Sequence, residues 1–201
     1  MQLIQTSTAV LLVWAIAGYL LGSIPFGMVV ARFMGLGNLR EIGSGNIGAT
    51  NVLRTGNKKA AALTLLFDAG KGAVIVLLAR KFATEDAAQI AGLAAILGHC
   101  FPVWLKFKGG KGVATYFGLM IALSPVVGLA AGAIWLVVAA ISRYSSLAAL
   151  MAAGWAPIVV AFITDGQIFA LASVLAVLIY VRHAANIGRL RRGEESKIGK
   201  K

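Results

Sequence analysis

Acidic residues are scarce in this chain: seven Asp and Glu stand against 19 Lys and Arg, and charge of both signs occupies only 13% of 201 positions. So little charge in a chain that is 59% hydrophobic excludes a water-soluble domain, and the length excludes several membrane domains. Cysteine occurs once, as Cys100 in an apolar segment, which excludes an intramolecular disulfide and a cysteine metal cluster. Two histidines without a cluster of carboxylates leave no zinc or calcium site and no Ser-His-Asp order, so neither metal nor cofactor is expected. No Lys or Arg precedes the first apolar run, so the basic start of a cleavable leader is missing and the run reads as a retained span. With no internal repeat and no low-complexity linker, residues 1–201 are expected to form a single membrane-embedded domain.

What the chain does have is long apolar runs, at 8–33, 59–82, 86–106, 126–142, 146–163 and 167–184, with a shorter one at 113–123. A helical crossing takes roughly 17–25 residues, so six runs qualify and the short one is decided by parity. If Ser124-Pro125 is a turn, one face gathers the cations of 32–59, 106–111, Arg143 and the tail from Arg182 to Lys200 and Lys201. The other face keeps only Arg80 and Lys81. The positive-inside rule then predicts an all-α integral membrane protein of seven transmembrane helices, one of them short, with the N-terminus outside and the C-terminus cytoplasmic. Cations gathered at one membrane face suit anionic lipid and anionic substrates rather than nucleic acid.

The short run cannot cross about 30 Å of hydrocarbon, so the loop before it is expected to dip and the helix to start at depth. Its first turn, Gly112-Val113-Ala114, would point N–H groups and the positive dipole end into a polar cavity.

Two glycine-rich stretches suit anions. The first, Gly43-Ser44-Gly45-Asn46-Ile47-Gly48-Ala49-Thr50-Asn51, is closed by Arg54; the second is Phe107-Lys108-Gly109-Gly110-Lys111-Gly112. Glycine lets backbone N–H groups turn toward a charged guest, Ser, Thr and Asn add neutral donors, and Arg adds a planar fork. The formal dinucleotide spacing at Gly43, Gly45 and Gly48 lacks its strand and βαβ unit. Gly70-Lys71 and Gly110-Lys111 are each followed by Gly, so the hydroxyl of an ATP-binding loop is missing.

Asp68 and Lys71 share a helix face inside the second run and are expected to pair structurally, with substrate binding as the alternative. His183 and Asn186 close the last run, with Arg189 one turn on, and read as a site. His99 reads equally as a buried structural group or a pocket residue. Ser145 and Ser146, after Tyr144, read equally as helix caps or ligands. Such weak catalytic groups point to a substrate that is already activated.

Three blocks in order resemble the bacterial PlsY-type glycerol-3-phosphate acyltransferases. They are Ser23-x-Pro25-x-Gly27 with the Gly43–Arg54 stretch, Gly98-His99-x-x-Pro102 leading into Phe107–Thr115, and His183-x-x-Asn186-x-x-Arg189-Leu190-x-x-Gly193-x-Glu195. The resemblance implies seven spans in the bacterial cytoplasmic (inner) membrane and an active site on the cytoplasmic side. It implies transfer of a fatty acyl group from acyl phosphate to the 1-hydroxyl of sn-glycerol 3-phosphate, giving 1-acylglycerol 3-phosphate and phosphate. By the same resemblance Gly109, Gly110, Lys111 and Gly112 bind acyl phosphate, Ser44, Arg54, Lys111, His183 and Asn186 form the polar centre, and Glu195 is structural. Neither His has an Asp five positions on, so the H-x-x-x-x-D dyad of other glycerolipid acyltransferases is missing.

On this reading Lys111 and its glycines grip the donor phosphate, and Arg54, Thr50, Asn51 and Asn186 hold glycerol 3-phosphate, with Asn46, Ser145, Ser146 and Arg189 in the binding set. His183 either accepts the hydroxyl proton or orients the acceptor while the donor phosphate takes it. The expected assembly is a monomer among membrane lipids. The competing class is a transporter or channel for a phosphorylated metabolite, since basic glycine loops at a broken span also suit anion passage.

Overall fold

The computed structural model describes residues 6–199, so Lys200 and Lys201 of the expected basic tail lie outside the described residues. Among the described residues there are ten α-helices and no strand. The helices are α1 Thr8–Gly22, α2 Phe26–Phe33, α3 Ala49–Leu53, α4 Lys58–Phe82, α5 Glu85–Cys100, α6 Val113–Leu123, α7 Pro125–Ser142, α8 Ser145–Ile163, α9 Phe169–Arg182 and α10 Ala184–Arg191. Side-chain caps start several of them: Asn57 accepts from Ala60 N at 3.0 Å before α4, and Thr84 accepts from Ala87 N at 3.2 Å before α5. Pro125 opens α7 at a position whose N–H would have no helical partner.

Five stretches are long and apolar enough to cross a bilayer, and a sixth qualifies if α9 and α10 count as one span bent by 62°. Helix α6 is apolar but only 11 residues long. Large apolar side chains such as Leu12, Leu66, Leu129 and Val177 stand exposed on these helices, as lipid contact requires. Two expected runs are less continuous than their composition suggests. The first is broken at Ser23-Ile24-Pro25, because proline brings no N–H to continue α1. The last bends at His183, so His183 and Asn186 do not share one straight helix.

The chain packs as two compact units, one running up to Leu123 and the other starting at Ser124. In the first, α1 and α5 run parallel in close contact: a methyl on Gly18 would meet Ala91 O at 2.3 Å, and one on Gly22 would meet Ala95 O at 2.0 Å. Small residues four apart let the two backbones approach where lipid provides no hydrophobic drive. Helix α4 runs antiparallel to α5 and carries α6 against Gly72, where an added methyl would lie 2.6 Å from Thr115 O. Arg80, near the end of α4, donates to the last carbonyls of α6, Ala122 O and Leu123 O, while pairing with Glu85 at 2.7 Å. Helix α6 therefore begins beside the middle of α4, about 20 Å along the axis from Lys58 at 1.5 Å per residue, and ends level with the far end of α4. The second unit packs α8 against α7 and α9, and the α9–α10 bend turns the chain back toward the start of α8.

Candidate active site

The first glycine stretch is a loop folded around one buried amide. Asn51 is 1% exposed. Its Oδ1 accepts from Ser44 N at 3.0 Å and from Ser44 Oγ at 3.3 Å, and its Nδ2 donates to Leu39 O at 3.0 Å. The backbone turns through positive φ at Gly43 and Gly45, and a methyl on Gly43 would lie 2.9 Å from Arg54 Nη1. Arg54 thus folds back over the loop that Asn51 supports. Asn46 lies across Gly48, where a methyl would meet its Nδ2 at 3.3 Å. Ser44 and Thr50 are exposed, and Arg54 is half-buried.

The second stretch is docked on the C-terminus of α5. Gly109 N donates to Cys100 O and Gly110 N to His99 O, both at 3.1 Å, which satisfies carbonyls that the helix end leaves open. These two amides therefore face α5, contrary to the expectation that the glycines turn them toward an anion. Half-buried Lys111 follows in the chain and leads into the first turn of α6, whose amides by helix geometry have no partner within the helix. Gly112, at φ +83°, makes the turn into that helix against Ile96 and Cys100.

The two loops are joined by a residue that sequence reasoning counted only as a topology cation. Arg40 donates from Nη1 to Gly45 O at 3.2 Å and from Nη2 to Lys108 O. No signal in residue type or spacing marks it, because both partners are backbone carbonyls.

Beneath the second loop lies a buried polar trio. Lys71 Nζ is 2.9 Å from Asp68 Oδ1, as the spacing of the pair predicts, and His99 Nδ1 lies 3.6 Å from the same oxygen. Lys71 also donates to Ile24 O at 2.8 Å, where the break between α1 and α2 frees a carbonyl.

In the second unit, Glu195 gathers three residues of the predicted site. Its Oε1 accepts from Ser146 Oγ at 2.8 Å and Asn186 Nδ2 at 2.6 Å, and its Oε2 accepts from Arg189 Nε at 2.6 Å. Burial pushes the Glu195 carboxyl upward, but the donors from Asn186, Ser146 and Arg189 outweigh it and hold the group below its ordinary value. The N-cap of α8 is Tyr144, with no side-chain bond, so neither serine caps that helix; Ser145 is its first residue. His183 is 2% exposed at the bend, with Nδ1 2.8 Å from Ile179 O. A carbonyl only accepts, so Nδ1 carries the proton and Nε2 holds the lone pair of the neutral ring.

Among the described residues no group of three or more His, Cys, Asp or Glu converges to hold a metal ion. The first unit offers cations and amides around its two glycine loops, and the second holds one oriented imidazole; each kind of group suits reactions of phosphorylated substrates.

A family model described as glycerol-3-phosphate acyltransferase matches residues 12–193, spanning both units. The chain is 62% identical over 198 residues to the glycerol-3-phosphate acyltransferase of Ruegeria sp. (strain TM1040) and 60% identical over 198 residues to that of Dinoroseobacter shibae. In each case 98% of both chains is covered. It is also similar to the crystal structure of PlsY (YgiH), an integral membrane glycerol 3-phosphate acyltransferase. With the glycerol 3-phosphate form the TM-score is 0.87 at 42% identity, covering 94% of this chain and 96% of that one. With the lysophosphatidic acid form it is 0.83 at 40% identity, covering 94% and 95%.

Proposed function

The chain belongs to the glycerol-3-phosphate acyltransferase family, and from that premise we propose that it moves a fatty acyl group from acyl phosphate to the 1-hydroxyl of sn-glycerol 3-phosphate. The products are 1-acylglycerol 3-phosphate and inorganic phosphate, and the step is the first acylation of phospholipid synthesis. The enzyme works as a monomer in the bacterial cytoplasmic membrane, with seven spans including α6, its N-terminus outside and its chemistry on the cytoplasmic side.

The observation that carries this reading is the contact between the two glycine loops, one closed by Arg54 and the other ending in Lys111 at the foot of α6. Two multiply charged anions can react only if fixed positive groups offset their repulsion, and a pair of adjoining cationic loops does so. Lys111 and the first turn of α6 take the donor phosphate. Arg54, Ser44 and Thr50 take the acceptor phosphate, with Asn46 beside them and Asn51 holding the loop from beneath. We assign Asn186, Arg189, Ser145 and Ser146 to substrate binding as well; within their own unit Glu195 holds Ser146, Asn186 and Arg189 together.

The acceptor hydroxyl oxygen attacks the acyl carbonyl carbon, a new ester C–O bond forms, and the bond from that carbon to the phosphate oxygen breaks with its electron pair leaving on phosphate. Because acyl phosphate is a mixed anhydride, no protein nucleophile is needed. The hydroxyl proton passes to His183 Nε2, the nitrogen that the bond from Nδ1 to Ile179 O leaves with a lone pair.

Purified protein in detergent or liposomes, given acyl phosphate and glycerol 3-phosphate, should release lysophospholipid and phosphate in equal amounts, and acyl-CoA should not replace the donor. Turnover with acyl-CoA alone would overturn the donor assignment. Uptake of labelled glycerol 3-phosphate into sealed vesicles without donor would instead indicate a transporter.

A further inference from the structure

We propose that Arg40 is a positioning residue that clasps the two glycine loops together and sets the spacing of the two phosphates; the inference rests on the reaction proposed above. One guanidinium donates from Nη1 to Gly45 O at 3.2 Å in its own loop and from Nη2 to Lys108 O, 68 residues further along the chain than Arg40. A planar guanidinium carries its donors on separate nitrogens in a rigid relation, whereas the donors of an ammonium all radiate from one freely rotating nitrogen.

The surroundings show that the arm is aimed. Asn38 Oδ1 accepts from Arg40 N at 3.0 Å, while Asn38 Nδ2 takes the neighbouring Glu41 carboxylate at 2.7 Å, so an acid one residue away is occupied elsewhere. The carbonyl of Arg40 packs against Gly45, where a methyl would lie only 3.1 Å from it, so the residue grips its own loop from two sides. On the other loop, Lys106 at φ +51° and Phe107 at φ +61° are consecutive non-glycine residues in the left-handed region, a strained approach to Lys108 that tertiary contacts must hold. Phe107 N donating to Pro102 O at 3.0 Å supports one end of that approach, and Arg40 supports the other. There is an electrostatic gain as well. Gly45 O and Lys108 O would repel a nearby phosphate, and a guanidinium covering both removes that repulsion.

The test combines hydrogen exchange without substrate and kinetics on Arg40→Ala and Arg40→Lys. In Arg40→Ala, amides of residues 43–48 and also of 108–112 should exchange at least tenfold faster, although the second segment is remote in sequence. Arg40→Lys should lose protection in at least one loop and fall at least tenfold in kcat/KM for both substrates despite keeping its charge. Wild-type activity in Arg40→Lys would show that charge alone matters, and exchange changes confined to 38–48 would show a local role; either overturns the clasp. If exchange couples the loops as stated but wild-type protein does not use acyl phosphate, the clasp stands and the reaction proposal falls.

Discussion

Gly110 lies so close over His99 that a methyl on its α-carbon would sit 2.2 Å from the imidazole Nε2. Only a glycine fits there, and the reason is packing, since its φ is ordinary. Gly110→Ala must lift the second loop or displace His99, with an expected cost of about 1–3 kcal/mol and at least a tenfold fall in turnover. Adding the same methyl in a His99→Ala background should cost less, a coupling measurable by thermal unfolding of the four proteins of a double-mutant cycle. Simple additivity would show that the two residues do not meet.

Lys111→Ala should lower kcat/KM for acyl phosphate by about a hundredfold or more, the scale seen when one charge-stabilising donor is removed. Calorimetric binding of glycerol 3-phosphate should change far less. Equal damage to both substrates would reject the assignment of Lys111 to the donor.

His183→Gln keeps a polar side chain at the α9–α10 bend but removes the ring nitrogen proposed to accept the hydroxyl proton. Turnover at saturating substrates should drop by about 10²- to 10⁴-fold. Near-normal turnover would move the proton to the departing phosphate and leave His183 only an orienting role.

The buried Asp68–Lys71 pair predicts asymmetric damage. Lys71→Met or Asp68→Leu alone strands the remaining charge and should cost about 3–5 kcal/mol. The double substitution should cost much less than the sum, as read from detergent thermal unfolding by tryptophan fluorescence. A double mutant worse than either single would show that the ions themselves are needed, as a substrate site would require.

Glu195 gives a pH prediction. Its carboxyl titrates below its ordinary value of 4.5, so the folded state holds the proton less tightly than the unfolded chain does. The stabilisation is complete above pH 4.5 and is lost as pH falls through the lower, folded value. Hydrogen exchange of residues 186–199 should accelerate over that acid window, and Glu195→Gln should flatten the dependence. An unchanged profile in Glu195→Gln would trace it to another group.

Helical class, the short α6, the turn at Ser124-Pro125 and the Asp68–Lys71 pair were all legible, because each follows from local rules of length, proline chemistry and helix spacing. The third member of the trio was not: His99 reaches Asp68 from another helix, and no local rule encodes that approach. The direction of the Gly109 and Gly110 amides was hidden for the same reason, since it depends on where α5 ends. Asn51 looked like a ligand because Asn within a glycine loop can face either way; only the fold turns it inward. Arg40 gave no sign at all, its partners being carbonyls that every residue possesses.

The halfway start of α6 has a further consequence for the proposed donor. A phosphate resting at that helix's first turn would sit well below the level of Lys58, so an acyl chain attached to it could stay dissolved in the hydrocarbon throughout the reaction. The enzyme would then bring the water-soluble reactant down to the greasy one, and the lipid would never have to leave its own solvent.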